Sequence, residues 1–214
     1  AGFDLLYDKS GYYDTLRSVM NAGMTAEAFT WNWQSLGGIQ GRMLNFLENH
    51  DEQRFASDAF SGDAGKCFAG LAVACLFNEA SFLIYFGQEC GERADNSDNA
   101  RTSIFNHTTV PSLDNPDKEL LERYRQTLDL AATPLFRHGR NWDLGYCNRD
   151  SRGFNPSYHF AFLRISEEGA ALVACNFSNF ESEMELYIPE ETGLESGLFK
   201  LNVPAWDYAV LQLK

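Results

Sequence analysis

The run Leu44-Asn45-Phe46-Leu47 breaks off into five polar residues, Glu48-Asn49-His50-Asp51-Glu52. A buried strand that turns polar only at its C-terminal end suits a parallel sheet, whose faces are covered by helices and whose chemistry sits at strand ends. The downstream residues fit such a sheet. Gly62-Asp63 opens a segment in which Phe68, Leu71, Ala72, Cys75 and Leu76 fall at helical spacing, and its small residues suit close packing on a sheet. Phe82-Leu83-Ile84-Tyr85-Phe86 then reads as a second apolar strand, closed by Gly87-Gln88-Glu89. Strand, polar loop, helix, strand is a βαβ unit with parallel pairing.

Around this unit, Phe3 to Tyr7 is a short apolar run and Tyr12 to Met20 a helix candidate. Arg93 to Pro116 is a long polar loop, placed after a strand where barrel enzymes carry functional loops. Asn115-Pro116-Asp117 supplies a cap, a first-turn proline and an acid for a helix through Leu121, Tyr124, Leu128 and Ala131, stopped by Pro134. After Gly139 the hydrophobic period changes. Tyr158 to Ile165 and Ala170 to Phe177 read as strands joined by the hairpin loop Ser166-Glu167-Glu168-Gly169. Glu183 to Ile188 alternates strictly, as do Phe199, Leu201 and Val203, and Ala209, Leu211 and Leu213. Residues 1–139 are thus expected to form an α/β part. Residues 140–214 are expected to form a small antiparallel β domain with one solvated face.

Charge narrows the ligands. The 214 residues carry a formal net charge of −13, which disfavours phosphate backbones and anionic membrane surfaces and leaves neutral ligands such as sugars open. The longest apolar run, Cys67 to Phe77, is too short to span a bilayer. Five cysteines with no C-x-x-C pair argue against a zinc knuckle and leave the compartment open. The chain opens Ala1-Gly2-Phe3 without an initiator Met, which reads as a processed or cut N-terminus.

The block Phe46 to Ser57 holds the sharpest chemical signal. An acid and a histidine stand side by side at a strand end, an amide precedes them, and Arg54 lies three residues past Asp51. Sugar hydroxyls call for such acceptors and donors, and a developing oxocarbenium ion calls for a nearby carboxylate. Arg54 is expected to hold that carboxylate region in its charged form. The same residues also fit a capped strand end with a surface salt bridge.

Asn49-His50-Asp51, after an apolar strand and before Arg54 and Ser57, resembles a late sequence block of the α-amylase superfamily (glycoside hydrolase family 13). Other stretches resemble that family in order. Phe3 to Asp8 with Tyr13 to Leu16 is similar to the sixth barrel strand and its helix. Phe82 to Gly91 is similar to the eighth strand and the loop after it, and Thr133 to Gly139 to the entry of the C-terminal β domain. Ala174 to Ser178 and Pro204-Ala205-Trp206 are similar to strands of that domain. The resemblance implies the C-terminal part of a (β/α)8 barrel, about strands six to eight, followed by a small antiparallel β-sandwich domain. It implies a retaining reaction at α-glucosidic bonds of starch-like glucans or oligosaccharides. Asp51 would stabilise the transition state and grip sugar hydroxyls, and His50 would bind substrate. The family's nucleophile and acid/base precede this region, and neither a Gly-x-Arg-x-Asp stretch nor an isolated strand-end Glu stands ahead of Asp51. The polypeptide alone is therefore expected to be inactive, and to pair with the missing barrel portion or self-associate. The rival is a non-catalytic amylase-like protein for carbohydrate binding or assembly.

Other residues carry weaker signals. Glu89 and Glu92 come after the second apolar strand, as substrate contacts or as structural hydrogen bonds. Asp95, Asn96, Asp98 and Asn99 bear oxygen ligands for a structural calcium, but lack EF-hand spacing. His107, His138 and His159 are too scattered for a metal site, so no cofactor is expected. Trp31, Trp33 and Trp142 offer flat faces to a sugar or to the core, and Trp206 is expected in an alternating core strand.

Overall fold

The computed structural model describes residues 2–77, 79–102 and 109–213. Its first half builds a parallel sheet in the order β1 (Leu6–Tyr7), β2 (Met43–Phe46), β3 (Ser81–Leu83). Leu6 pairs with Met43, and Phe46 with Leu83. Between β1 and β2 run α1 (Asp14–Asn21) and α2 (Ala28–Leu36); α3 (Phe68–Leu76) crosses from β2 to β3. The strand expected over residues 82–86 is shorter. Its pairing ends where β2 ends, and Tyr85 turns away, its N–H donating to the Gln88 side chain at 3.3 Å and its hydroxyl to the Thr102 carbonyl at 2.6 Å.

Every residue of α3 is buried. A helix that is apolar all round has no face for water and must be covered on every side. The parallel sheet and α1 cover one side, and strands of the second half cover the other. Small residues permit this. A methyl group at Gly70 would stand 2.8 Å from a Leu16 methyl, and the Tyr12 hydroxyl donates to the Gly70 carbonyl.

The chain continues through α4 (Pro111–Asp114), α5 (Lys118–Ala131) and α6 (Pro134–His138). The cap of α5 is Asp117 rather than Asn115: its carboxylate accepts from the Glu119 and Leu120 N–H groups, both at 3.0 Å.

The second half has two antiparallel sheets. One runs β4 (Arg140–Asp143), β5 (His159–Ser166), β6 (Gly169–Asn176), β9 (Tyr208–Leu213); α7 (Gly145–Asn148) comes after β4. The other is the hairpin β7 (Ser182–Ile188) with β8 (Gly197–Val203). The hairpin loop between β5 and β6 forms where expected, Ser166 pairing with Gly169. Leu163, Leu172, Met184, Leu186 and Val203 share one apolar cluster between the two sheets.

The expectation of one solvated face holds for β7, whose burial alternates, and fails for β5 and β6. Phe160, Phe162, Val173 and Cys175 point away from the hairpin, into a cluster with Leu16, Leu71 and Phe77. Their strands are continuous apolar runs because both faces are covered. Arg164, on the same face, is fully buried. Its guanidinium donates to the carbonyls of Phe77 at 3.0 Å and Phe136 at 2.7 Å, and burial pulls its pKa down to about 10. Trp206 is not in a strand. It sits in the turn before β9 with φ at 58°, half-buried, its carbonyl accepting from Ala69 N–H at 3.1 Å.

His159 at the start of β5 is a buried neutral imidazole. Nδ1 accepts from the Asn155 N–H at 2.9 Å, so the proton is on Nε2, 2.9 Å from the Ser182 hydroxyl. Burial lowers its pKa from 6.5 to about 4. A base with a depressed folded-state pKa stabilises fully above the unfolded value and loses that stabilisation as pH falls.

Both halves of the core can be tested by mutation. Phe162→Ala empties a site shared by both halves and costs about 3–5 kcal/mol; urea unfolding read by tryptophan fluorescence and by circular dichroism remains one coincident transition. His159 contributes roughly 3 kcal/mol at neutral pH that is lost between pH 6.5 and 4, so His159→Gln flattens the urea midpoint across that window.

Candidate functional site

The chain leaves β2 buried and meets water within five residues. Phe46 and Leu47 are fully enclosed, Glu48 and Asn49 remain buried, His50 is partly covered, and Asp51 is exposed. Asn49 sets the geometry: its side-chain oxygen accepts from the N–H groups of Asp51 at 2.8 Å and Glu52 at 3.1 Å, which locks a turn. His50 and Asp51 stand on that turn with Nε2 and Oδ2 3.2 Å apart and side chains 29% and 72% exposed. The turn lies at the C-terminal end of the parallel strand, where α/β sheets present ligand-binding groups.

Arg54 does not hold Asp51. It pairs with Glu48, Nη1 to Oε1 at 2.6 Å, both side chains buried. The other Glu48 oxygen accepts from the Phe55 N–H at 2.5 Å. The remaining Arg54 donors reach the Thr102 hydroxyl at 2.9 Å and the Phe86 carbonyl at 3.0 Å, and the guanidinium lies 4.6 Å from the Tyr85 ring centroid. Burial pushes the Glu48 carboxyl up to about 7, against the pull of Arg54. The pair thereby ties the segment after β2 to the segment after β3. Neither Glu48 nor Thr102 was expected here. The signal for Glu48 lay in its place directly after the buried run Phe46-Leu47, where a carboxylate not yet at the surface needs a buried cation.

After β1, Asp8 is buried, its pKa raised by burial and opposed by hydrogen bonds from Tyr12 and Gly11 backbone and the Asn32 side chain. Gly11 is required there, since a Cβ would collide with the Asp8 carboxylate. Lys9 links the rims, 2.6 Å from Asp14 and 3.5 Å from Glu52.

The other candidates are spread out. Glu92 is buried and structural, accepting from Ala94 N–H at 2.6 Å and Ser112 hydroxyl at 2.8 Å. Glu89 lies beside α5, in a groove with Ile84, Leu121 and Leu128. In the 95–99 loop, Asp95 pairs with Arg93 at 3.2 Å, Asn96 donates to Thr109, and the Asn99 oxygen accepts from Ser97 and Arg101. Among the described residues no group of three or more His, Cys, Asp or Glu is arranged to hold a metal ion. His107 lies outside the described residues. His138 borders a groove with Glu79 and Phe136. Trp33 packs edge-on against Phe77 at 5.3 Å, whereas Trp31 is exposed.

No family model matches the sequence, and no curated protein matches it. Solved structures do. The α-amylase from H. orenii aligns over 100% of this chain and 49% of its own, with TM-score 0.70 and 17% identity. Cyclic α-maltosyl-(1→6)-maltose hydrolase from Arthrobacter globiformis aligns over 95% and 44%, with TM-score 0.69 and 20% identity. AmyP, in complex with maltose, aligns over 98% and 50%, with TM-score 0.72 and 13% identity.

The fold is that of the C-terminal region of an α-amylase.

The chain spans about half the length of the amylase-type structures it matches. The likeness gives the fold alone; within that amylase-type frame the His50–Asp51 turn comes directly after the middle strand of the parallel sheet.

The support beneath the turn and the turn itself separate by mutation. Arg54→Met leaves Glu48 buried without its counter-charge and costs about 3–5 kcal/mol in urea unfolding. Asp51→Asn, at an exposed site, changes stability by no more than about 0.5 kcal/mol.

Proposed function

We propose that this chain is the C-terminal portion of a retaining glycosidase or transglycosylase acting on α-glucosidic bonds of starch-like glucans or oligosaccharides. Residues 1–139 contribute about strands six to eight of a (β/α)8 barrel, and residues 140–214 a β-sandwich. The single observation that carries this is the Asn49-pinned turn, which holds an imidazole and a carboxylate 3.2 Å apart at a parallel strand end. AmyP with bound maltose, and an enzyme named for a cyclic maltosyl-maltose, support the substrate class.

In this proposal Asp51 accepts hydrogen bonds from sugar hydroxyls that tighten as positive charge develops at the anomeric carbon. His50 Nε2 hydrogen-bonds a neighbouring hydroxyl. The buried Glu48–Arg54 pair keeps the turn from yielding when substrate arrives, in the manner of supporting groups that preorganise a site. Retaining hydrolysis needs a nucleophile and an acid/base flanking the bond. Asp51 does neither job, so the 214 residues alone bind glucan without turning it over. Completion of the barrel supplies the other two carboxylates. The exposed Phe3, Leu5, Leu6 and Tyr7 around β1 form the edge along which a further strand pairs.

Calorimetry with maltotriose tests the reading. Asp51→Asn and His50→Ala each weaken binding about tenfold, and glucose release stays at background. Unchanged affinity in both variants, or normal turnover by the isolated chain, would refute it.

A further inference from the structure

A second group of exposed aromatic and polar side chains lies away from the turn, where α2 meets the β half. The N-terminal end of α2 is docked on the 155–157 segment: Ala26 and Glu27 N–H groups donate to the carbonyls of Ser157 at 3.0 Å and Pro156 at 3.3 Å. Beside this seam is a cavity of about 200 Å³. Trp31 from α2 and Tyr146 from α7 line it, and both are more than half exposed, at 55% and 56%. Neither His50 nor Asp51 is among its lining residues.

Two large aromatic rings left in water around one cavity make an exposed apolar patch of the kind that marks a binding site. Tyr146 is also held in place. Its hydroxyl receives the Trp142 indole N–H at 3.3 Å and lies 3.2 Å from a Glu191 oxygen, so an exposed ring is fixed by two partners on the β half. The polar groups are fixed too. Arg149 and Glu27 form an ion pair at 2.5 Å across the seam. Asp143 accepts from the Thr30 hydroxyl and, at 2.6 Å, from the Gly145 N–H. A carboxylate has about four acceptor positions, so Asp143, which lines the cavity, keeps acceptor capacity beyond these two bonds. Gln34 adds an amide that both donates and accepts.

We propose that this cleft binds one neutral pyranose ring, a glucosyl unit of an oligosaccharide, stacked on Trp31 and Tyr146. A pyranose has an apolar C–H face that matches an aromatic ring and a girdle of hydroxyls that both donate and accept. Asp143, Gln34 and the Arg149–Glu27 pair meet the girdle, and the cavity is sized for one ring rather than a buried chain. The mixed lining disfavours a purely apolar ligand. The two carboxylates, Glu27 and Asp143, disfavour an anionic one. The pocket uses residues from both halves, so it forms only when they are docked.

The test is a titration of 15N-labelled protein with maltotriose, following the Trp31 indole resonance, assigned with Trp31→Phe. The Trp31 signal shifts saturably, and the shift persists in Asp51→Asn. Tyr146→Ala raises the apparent Kd read at Trp31 about tenfold, with far-ultraviolet circular dichroism unchanged because the ring is exposed. Sorbitol, a polyol without a ring face, produces no saturable shift. A silent Trp31 at saturating maltotriose, an equal response to sorbitol, or unchanged affinity in Tyr146→Ala would overturn the proposal. Sugar binding confined to His50 and Asp51 would sink this site and leave the proposed function standing; binding at Trp31 alone would do the reverse.

Discussion

A guanidinium and a carboxylate, both withdrawn from water, hold the strand end that carries the proposed site. Glu48 and Arg54 meet at 2.6 Å with almost no solvent on either side chain. Such a pair is weak as a source of stability but demanding as a constraint, because either partner alone is a buried uncompensated charge. Its remaining donors and acceptors are spent on Thr102, Phe86 and Phe55. Three separate loop segments are thereby fixed to one another beneath the His50–Asp51 turn. The turn itself is exposed and contributes little to folding. A rigid base under a solvent-facing acid and imidazole is the arrangement expected where chemistry rather than stability governs the choice of residues.

The second constraint is apolar. Helix α3 is buried all round, so the parallel sheet and the β half share one core through Leu71, Phe77, Phe160 and Phe162. Arg164 reinforces the seam by donating to the carbonyl of Phe77, just past α3, and to that of Phe136 within α6. The two halves therefore stand or fall as one folding unit, and the cleft between α2 and α7 depends on their docking.

Much of this was legible in the residues. The βαβ unit, the hairpin at residues 166–169 and the change of period after Gly139 arise from local patterning, which depends on nearest neighbours alone. The features that were not legible depend on distant partners. One solvated face was expected for the β half, and nothing in the sequence says that α3 covers the second face of β5 and β6. The end of β3 at Leu83 is set by where β2 stops, not by the apolar residues that continue to Phe86. Trp206 adopts a left-handed turn that its alternating neighbours conceal. At the site, Arg54 was visible as a counter-ion. Its partner, though, is the buried Glu48 rather than the exposed Asp51, a distinction made by where the chain turns out to water after β2.

The central claim is that the turn after β2 is shaped to grip a glucose ring. A crystal structure of the Asp51-intact chain grown with maltotriose tests it most directly. The account predicts a glucosyl unit with hydroxyl oxygens within hydrogen-bond distance of Asp51 Oδ2 and His50 Nε2, and the Glu48–Arg54 pair undisturbed below. Ordered sugar elsewhere on the molecule with this turn bare would contradict it.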